Sequence, residues 1–184
     1  MKALQIIVFL VVSLFSLNAI KAQGAYKDQF AHTFSIVARD SITGEMAVGV
    51  QSHWFSVGFL VPWAKAGIGA VATQSFVKVE YGPDGLRLME QGLTSNQALE
   101  ALLKEDKAKD VRQVAMVDIN GNVAVHTGTK CIYAAGHYVG KNYSVQANMM
   151  EKKSVWSAMS HAYENTAGDL ADRMMAALEA AEKE

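Results

Sequence analysis

The stretch FAHTFSIVARD, residues 30–40, decides how this chain begins to fold. Its TFSIVAR portion combines β-branched, aromatic and small residues, which favours a strand beginning at Thr33. SITG and then EMAVGVQS follow, so two strand-forming runs flank a turn that contains Gly44. The pattern predicts a β-hairpin. Both runs are apolar at nearly every residue, which predicts strands covered on two faces.

The next segment, residues 53–76, is apolar, rich in β-branched residues and interrupted by Pro62 and Gly67. We expect further strands here rather than a helix. The pattern then changes to helical spacing in LRLMEQGL and again in TSNQALEALLKED. In the second run Thr94 and Gln97 have the spacing of a capping box. Two short helices are therefore predicted.

A second hairpin is predicted at Asn120-Gly121, which lies between RQVAMVDI and NVAVHTG. An Asn-Gly pair between strand-forming runs is a strong signal for a two-residue turn. KCIYAAG, residues 130–136, is predicted to form a third strand in this region.

The C-terminal part returns to helical spacing after NYSVQANMM. One apolar stripe runs through residues 155–163 and a second through residues 170–181, with a break between them. Runs of strands followed by runs of helices predict a layered α+β fold rather than parallel βαβ units. We expect one such domain over residues 33–184.

The composition is that of a chain able to bury a core, with 184 residues of which 51% are hydrophobic and 19% charged. The formal net charge is -1, and Lys and Arg are scattered along the sequence. Such a chain has no basic field to attract a polyanion, so nucleic acid is not expected as a partner.

The N-terminal segment predicts export. Lys2 precedes the apolar run LQIIVFLVVSLFSLNAI, and Ala22 is a small residue at a suitable cleavage position. We therefore expect residues 1–22 to be a signal peptide and the mature protein to be secreted or periplasmic. Residues 23–32 would then be a short pro-segment or extension. The alternative is a retained anchor, which would make the uncleaved signal segment the only contact with a membrane.

Cys131 is the only cysteine, so an intrachain disulfide is excluded. A small buried residue is the simpler interpretation, and a reactive thiol beside His126 is the alternative. The five histidines are far apart in sequence, and the chain contains no phosphate loop, HExxH or paired-cysteine motif. We expect no metal and no cofactor.

Several blocks taken in order resemble a known family: HTFSIVARD, GVQSHWFSVG, VPWAKAGIGAVATQSF, YGPDGL, VHTG and NYSVQANMM. They look like the successive blocks of the family called domain of unknown function 1028, from about Ala31 to the last helix. That family is grouped with the N-terminal-nucleophile (Ntn) hydrolases, which implies a four-layer αββα sandwich. Relatives continue into a final strand, so the resemblance implies that this chain lacks one and is a fragment.

The resemblance implies a chemistry for Thr33. In Ntn hydrolases the first residue attacks a carbonyl with its side chain, and its own α-amine acts as base. Here this would require cleavage between His32 and Thr33, which a signal peptidase acting at Ala22 would not provide. The alternative is that Thr33 is only a β-branched strand residue.

Lys65 follows Thr33 by 32 positions, a separation similar to that of the activating lysine in proteasome-type enzymes. An ammonium near the amine would lower the amine's pKa and stabilise negative charge. A solvated lysine after Pro62 is the alternative. Ser35 lies two residues beyond Thr33, on the same strand face, and is a candidate for positioning substrate.

Neutral polar residues beside apolar runs supply further candidates. Gln74, Ser75 and Asn148 can hold an oxyanion or orient a substrate amide, or instead satisfy buried backbone groups. His53 and Trp54 follow the second predicted strand and are candidates for the mouth of a cleft.

The sequence thus predicts a secreted Ntn-type amidohydrolase acting on a small or peptidic amide, as a monomer or homo-oligomer. A non-catalytic binding or assembly protein on the same fold is the alternative. The third hypothesis is a metal- or thiol-dependent enzyme that uses His126 and Cys131.

Overall fold

Eight strands form two four-stranded antiparallel sheets in the computed structural model, which describes residues 31–184. The predicted signal peptide, residues 1–22, and residues 23–30 of the predicted extension lie outside the described residues. The strands are β1 (Thr33–Arg39), β2 (Met46–Ser52), β3 (Pro62–Lys65), β4 (Gly69–Ser75), β5 (Arg112–Asp118), β6 (Val123–Thr127), β7 (Gly136–Gly140) and β8 (Tyr143–Asn148). The first sheet has the order β2-β1-β8-β7 and the second β3-β4-β5-β6.

The described residues also form four α-helices, namely α1 (Tyr81–Glu90), α2 (Ser95–Glu105), α3 (Val155–Asn165) and α4 (Leu170–Glu182). Apolar side chains of α3 and α4 pack against β1 and β8, and those of α1 and α2 pack against the second sheet. A third apolar cluster lies between the sheets. The predicted α+β class is confirmed. None of these helices combines the length and the apolar composition needed to cross a membrane.

Strand β1 has both faces buried. Phe34, Ile36 and Ala38 pack with the helices α3 and α4, whereas Ser35 and Val37 face the second sheet. The run is apolar at nearly every residue because alternate side chains enter two different buried layers. Strand β2 is also covered on two faces, because Ala47 packs on the helix side and Val48 and Val50 pack against the cluster between the sheets. It is only half-buried along its length, as it lies at the edge of its sheet.

Both predicted hairpins are confirmed, at β1–β2 and at β5–β6. The predicted strand at 130–136 is wrong except at Gly136, which begins β7, because backbone N–H groups at the start of this segment bond elsewhere. Lys130 donates to the Asp110 carbonyl at 2.8 Å, and Cys131 donates to the Gly128 carbonyl at 3.1 Å. The missed hairpin is β7–β8, whose turn includes Asn142 at φ 66°. Asn tolerates this left-handed backbone better than most residues with a side chain.

Helix α1 begins at Tyr81, earlier than the run that its apolar spacing suggests. Pro83 is tolerated because its missing N–H lies in the first turn. Gly82 is required for packing, since a Cβ there would lie 2.3 Å from Cγ of the Trp63 indole. Helix α2 begins as predicted, with a reciprocal capping box between Thr94 and Gln97.

We expect Thr94→Ala to lower the free energy of unfolding by about 1 kcal/mol, because one N–H of the first turn loses its acceptor. Thr166→Ala is the matched control, since the Thr166 side chain makes no hydrogen bond to a described residue at the end of α3. Chemical denaturation of both variants measures the difference. Equal effects would contradict the assigned capping role.

Candidate functional site

Thr33 is the first residue of β1 and lies between two neighbouring strands. It pairs with Ser52 of β2 on one side and with Asn148 of β8 on the other. Only 6% of its surface is exposed. Its Oγ1 lies 2.8 Å from the Ser52 Oγ, which also accepts a hydrogen bond from the Trp54 N–H at 3.0 Å. The hydroxyl of Thr33 is therefore held in place by its neighbour on the edge strand.

A cavity of about 400 Å³ opens beside Thr33. Its walls are mostly apolar, and its polar side chains are those of Thr33, Gln74 and Ser75. The remaining lining residues are Trp54, Val57, Leu60, Val61, Phe76, Val77, Ile132 and Met149. Trp54 lines a cleft as predicted, and Thr33 lines the same cleft.

Next to this cavity, the space between the two sheets is filled by amides and hydroxyls. The Ser35 hydroxyl donates to Gln74 Oε1 at 2.7 Å and accepts from Gln146 Nε2 at 2.6 Å. Gln74 Nε2 in turn donates to Gln113 Oε1 at 2.7 Å. This amide-hydroxyl network (Ser35, Gln74, Gln113, Gln146 and Asn148) connects β1 and β8 of the first sheet with β4 and β5 of the second.

Gln113 is the centre of the amide-hydroxyl network. Its Oε1 accepts from Gln74 and also from Asn148 Nδ2 at 3.0 Å. Its Nε2 donates to the Ala147 carbonyl at 3.0 Å and to Thr127 Oγ1 at 2.9 Å. The Asn148 Oδ1 is buried and has no partner among the described residues. An unpaired buried acceptor is a group that a buried water can satisfy.

Backbone strain is concentrated at the same cavity. Four described non-glycine residues have a positive φ. Ser75 at 70° and Met149 at 58° line the cavity, and Ser56 at 56° precedes its lining residue Val57. Such left-handed conformations are disfavoured in residues with a side chain and tend to occur at functional sites.

Lys65 does not lie near Thr33. It lines a different cavity together with Gly44–Ala47, at the turn that closes the first hairpin. Thr33 lies at the opposite end of that hairpin, about 20 Å away for six residues of strand. Lys65 is about half exposed and pairs with Glu90 at 2.5 Å. This position corrects the predicted electrostatic role, because an ammonium so distant and solvated does not act on residue 33.

His53 lies beside Thr33 in sequence but faces a different space. Its ring stacks on His32 with centroids 5.1 Å apart, and both line a cavity of about 200 Å³ together with Glu151 and Glu182. Burial and then the charge of His53 lower the pKa of His32, against the two carboxylates, which raise it. His53 is thus placed next to the His32-Thr33 bond rather than in the Thr33 cavity.

The Cys131 and His126 side chains do not pair. The Cys131 thiol donates to the Arg112 carbonyl at 3.3 Å, and burial raises its pKa, so the reactive thiolate is disfavoured. His126 Nε2 lies 2.8 Å from the Lys109 carbonyl. Within residues 31–184 no three His, Cys, Asp or Glu side chains are grouped as metal ligands would be.

Sequence reasoning missed Ser52, Gln113 and Gln146. RQVAMVD shows no alternation after Gln113, so that residue had no signal in the sequence, whereas in YSVQAN the residues Ser144, Gln146 and Asn148 alternate with apolar or aromatic ones. One polar residue at every second position of a buried strand indicates a polar face turned inward. Nothing in the sequence indicated that Ser52 would lie opposite Thr33.

The family expected from the sequence is confirmed. Residues 33–184 match the model of a family described as "Family of unknown function (DUF1028)", so the chain belongs to that family. A crystal structure of protein SPO2555 from Silicibacter pomeroyi, also assigned to DUF1028, is similar with a TM-score of 0.80 and 28% identity. The match covers 83% of this chain and 71% of that chain. The comparison with curated proteins gives no match.

We expect Gln113→Leu to lower the free energy of unfolding by about 2–5 kcal/mol, because two buried amide donors lose their acceptor. Those donors are Gln74 Nε2 and Asn148 Nδ2. Gln91→Leu, at an exposed position after α1, is the matched control. A loss below about 1 kcal/mol by denaturant titration would contradict the role given to this network.

We expect the uncut chain, which still contains His32, to lose stability as the pH falls through the usual histidine range, in part because His32 resists protonation when folded. Its folded pKa is lowered, so the unfolded chain binds more protons and unfolding becomes easier below about pH 6.5. Thermal unfolding at a series of pH values should show a shallower decline for His32→Gln. His161→Gln, at an exposed position of α3, should leave the decline unchanged. A decline that is the same in both variants would contradict the assignment.

Proposed function

We propose that this DUF1028 protein is a secreted Ntn-type amidohydrolase in which Thr33 is the nucleophile. In the proposal residues 1–22 direct export and the His32-Thr33 bond is then cleaved. The observation that carries it is the position of Thr33, a strand-initial residue with a hydroxyl that lines a mostly apolar cavity. Two antiparallel sheets with helices packed on their outer faces are compatible with the αββα sandwich of that superfamily.

The surroundings of the Thr33 hydroxyl explain why cleavage is part of the proposal. In the uncut chain Oγ1 contacts Ser52 Oγ at 2.8 Å and the Ala31 carbonyl at 3.4 Å. Neither group is a base that takes a proton from an alcohol near neutral pH. A freed α-amine on Thr33 has an ordinary pKa of about 8 and is attached to the same Cα, so it can accept that proton.

The proposed reaction proceeds in two steps. Thr33 Oγ1 attacks the amide carbonyl carbon, and its proton passes to the α-amine. The C–N bond then breaks, and the α-ammonium protonates the leaving amine, which leaves an ester on Oγ1. Water hydrolyses this ester with the amine again acting as base, which restores Thr33 and releases a carboxylic acid.

The other candidate residues divide into two roles in this proposal. Ser75 lines the cavity and is the substrate contact. Ser35, Gln74 and Asn148 are buried, and each is already hydrogen-bonded through a side-chain atom within the sandwich. They therefore position the ends of the strands around Thr33 rather than bind the reacting carbonyl directly.

A non-catalytic binding or assembly protein on the same fold is the second candidate. The observation that favours it is the backbone bond from His53 N–H to the His32 carbonyl at 3.0 Å, which continues the β1–β2 pairing across the His32-Thr33 bond. The same bond would also stabilise negative charge on that carbonyl oxygen if Thr33 attacked it. The two candidates therefore differ in whether the bond is cut.

We expect the mature protein purified from its natural compartment to begin at Thr33, with Thr33→Ser processed in the same way. Thr33→Ala should remain uncut if the chain cleaves itself, and should in any case lose all amidase activity. Intact mass and N-terminal sequencing measure processing, and release of amine from a panel of amides measures activity. A terminus upstream of Thr33 in active protein would overturn the catalytic proposal.

A further inference from the structure

The geometry points to a substrate class for the Thr33 cavity: we infer that it binds an uncharged amide whose acyl side chain is aromatic or branched aliphatic. This inference rests on the proposed function, because a bound amide is a substrate only if Thr33 is a nucleophile. The binding preference itself depends only on the cavity.

The cavity has the size of a site for a small ligand. About 400 Å³ falls within the range of roughly 300–1,000 Å³ that is usual for such sites. A benzene molecule fits an engineered cavity of about 150 Å³. The space beside Thr33 therefore accommodates one aromatic ring or branched chain together with the amide that carries it.

The walls are suited to an apolar group. Aliphatic side chains of Val57, Leu60, Val61 and Val77 line the cavity. Two aromatic lining residues are largely exposed, Trp54 at 66% and Phe76 at 54%. Exposed aromatic surface that borders an apolar cavity gains hydrophobic free energy when a ligand covers it.

The absence of charge in the lining disfavours ligands that carry a carboxylate or an ammonium group in this space. In the uncut chain, none of the described residues that line the cavity carries an ionisable group at neutral pH. A carboxylate or ammonium entering this space would lose hydration without gaining an opposite charge, which is unfavourable by several kcal/mol. The polar side chains in the lining are those of Thr33, Gln74 and Ser75. Because Gln74 is already hydrogen-bonded within the network, Thr33 and Ser75 are the groups available to the amide of the ligand.

The test is equilibrium binding to the full-length protein at neutral pH, measured by NMR titration. The probes are N-acetyl-phenylalanine methylamide and N-acetyl-aspartate methylamide, which differ in the charge and polarity of one side chain. We expect the phenylalanine probe to bind about tenfold more tightly or better. Trp54→Ala should weaken its binding several-fold, because Trp54 lines the cavity.

Phe55→Ala is the matched control. Phe55 is 92% exposed on the same loop but does not line the cavity. Its removal should leave binding unchanged. Equal affinity for the two probes, no measurable binding of either, or equal effects of the two variants would each overturn the inference.

The titration is repeated with Thr33→Ala, which cannot cleave the probes, so that the binding preference is measured independently of whether Thr33 is a nucleophile. Selective binding by a protein that is never cut at Thr33 would support the binding preference assigned to the cavity and contradict the proposed amidohydrolase activity. Cleavage before Thr33 without selectivity between the probes would support the proposed amidohydrolase activity and contradict the substrate class inferred here.

Discussion

A neutral hydrogen-bond network buried between the two sheets is the interaction on which the geometry at Thr33 depends. At the other end the sheets meet through small apolar residues such as Val37, Ala70 and Ala115. Near Thr33 they meet through Ser35 and glutamines, each of which must find a partner when buried. Because slipping a strand by one residue would turn these side chains to the wrong face, the network also fixes the register.

The neutrality of this network determines what chemistry the cavity can support. Amides and hydroxyls hold the strand ends without placing a charge near Thr33, and the cavity lining within the described residues is uncharged as well. A nucleophile in such surroundings cannot use a neighbouring carboxylate or imidazole as its base. The proposed mechanism therefore depends on the α-amine of Thr33 itself, and in the uncut chain the same neutrality favours an uncharged ligand.

Local patterns predicted the local structure, including the Asn120-Gly121 hairpin and the Thr94 capping box. Residues 130–136 have strand-like composition, yet contacts with the Asp110 loop and a turn at Gly128 take their backbone donors. Sequence spacing also could not place Lys65, because it does not say at which end of the sheets a residue lies. The partners of the network depend on how the two sheets face each other, so they became visible only in three dimensions.

The most direct test of Thr33 as an N-terminal nucleophile is its reaction with a β-lactone that carries a benzyl group. Opening of the lactone ring by Oγ1 forms an ester and adds the full mass of the lactone, which tandem mass spectrometry of peptides locates. The account predicts one label per processed chain, on Thr33, and none on Thr33→Ala. A label on Cys131 or another residue with Thr33 unmodified, or an unlabelled protein that retains amidase activity, would contradict it.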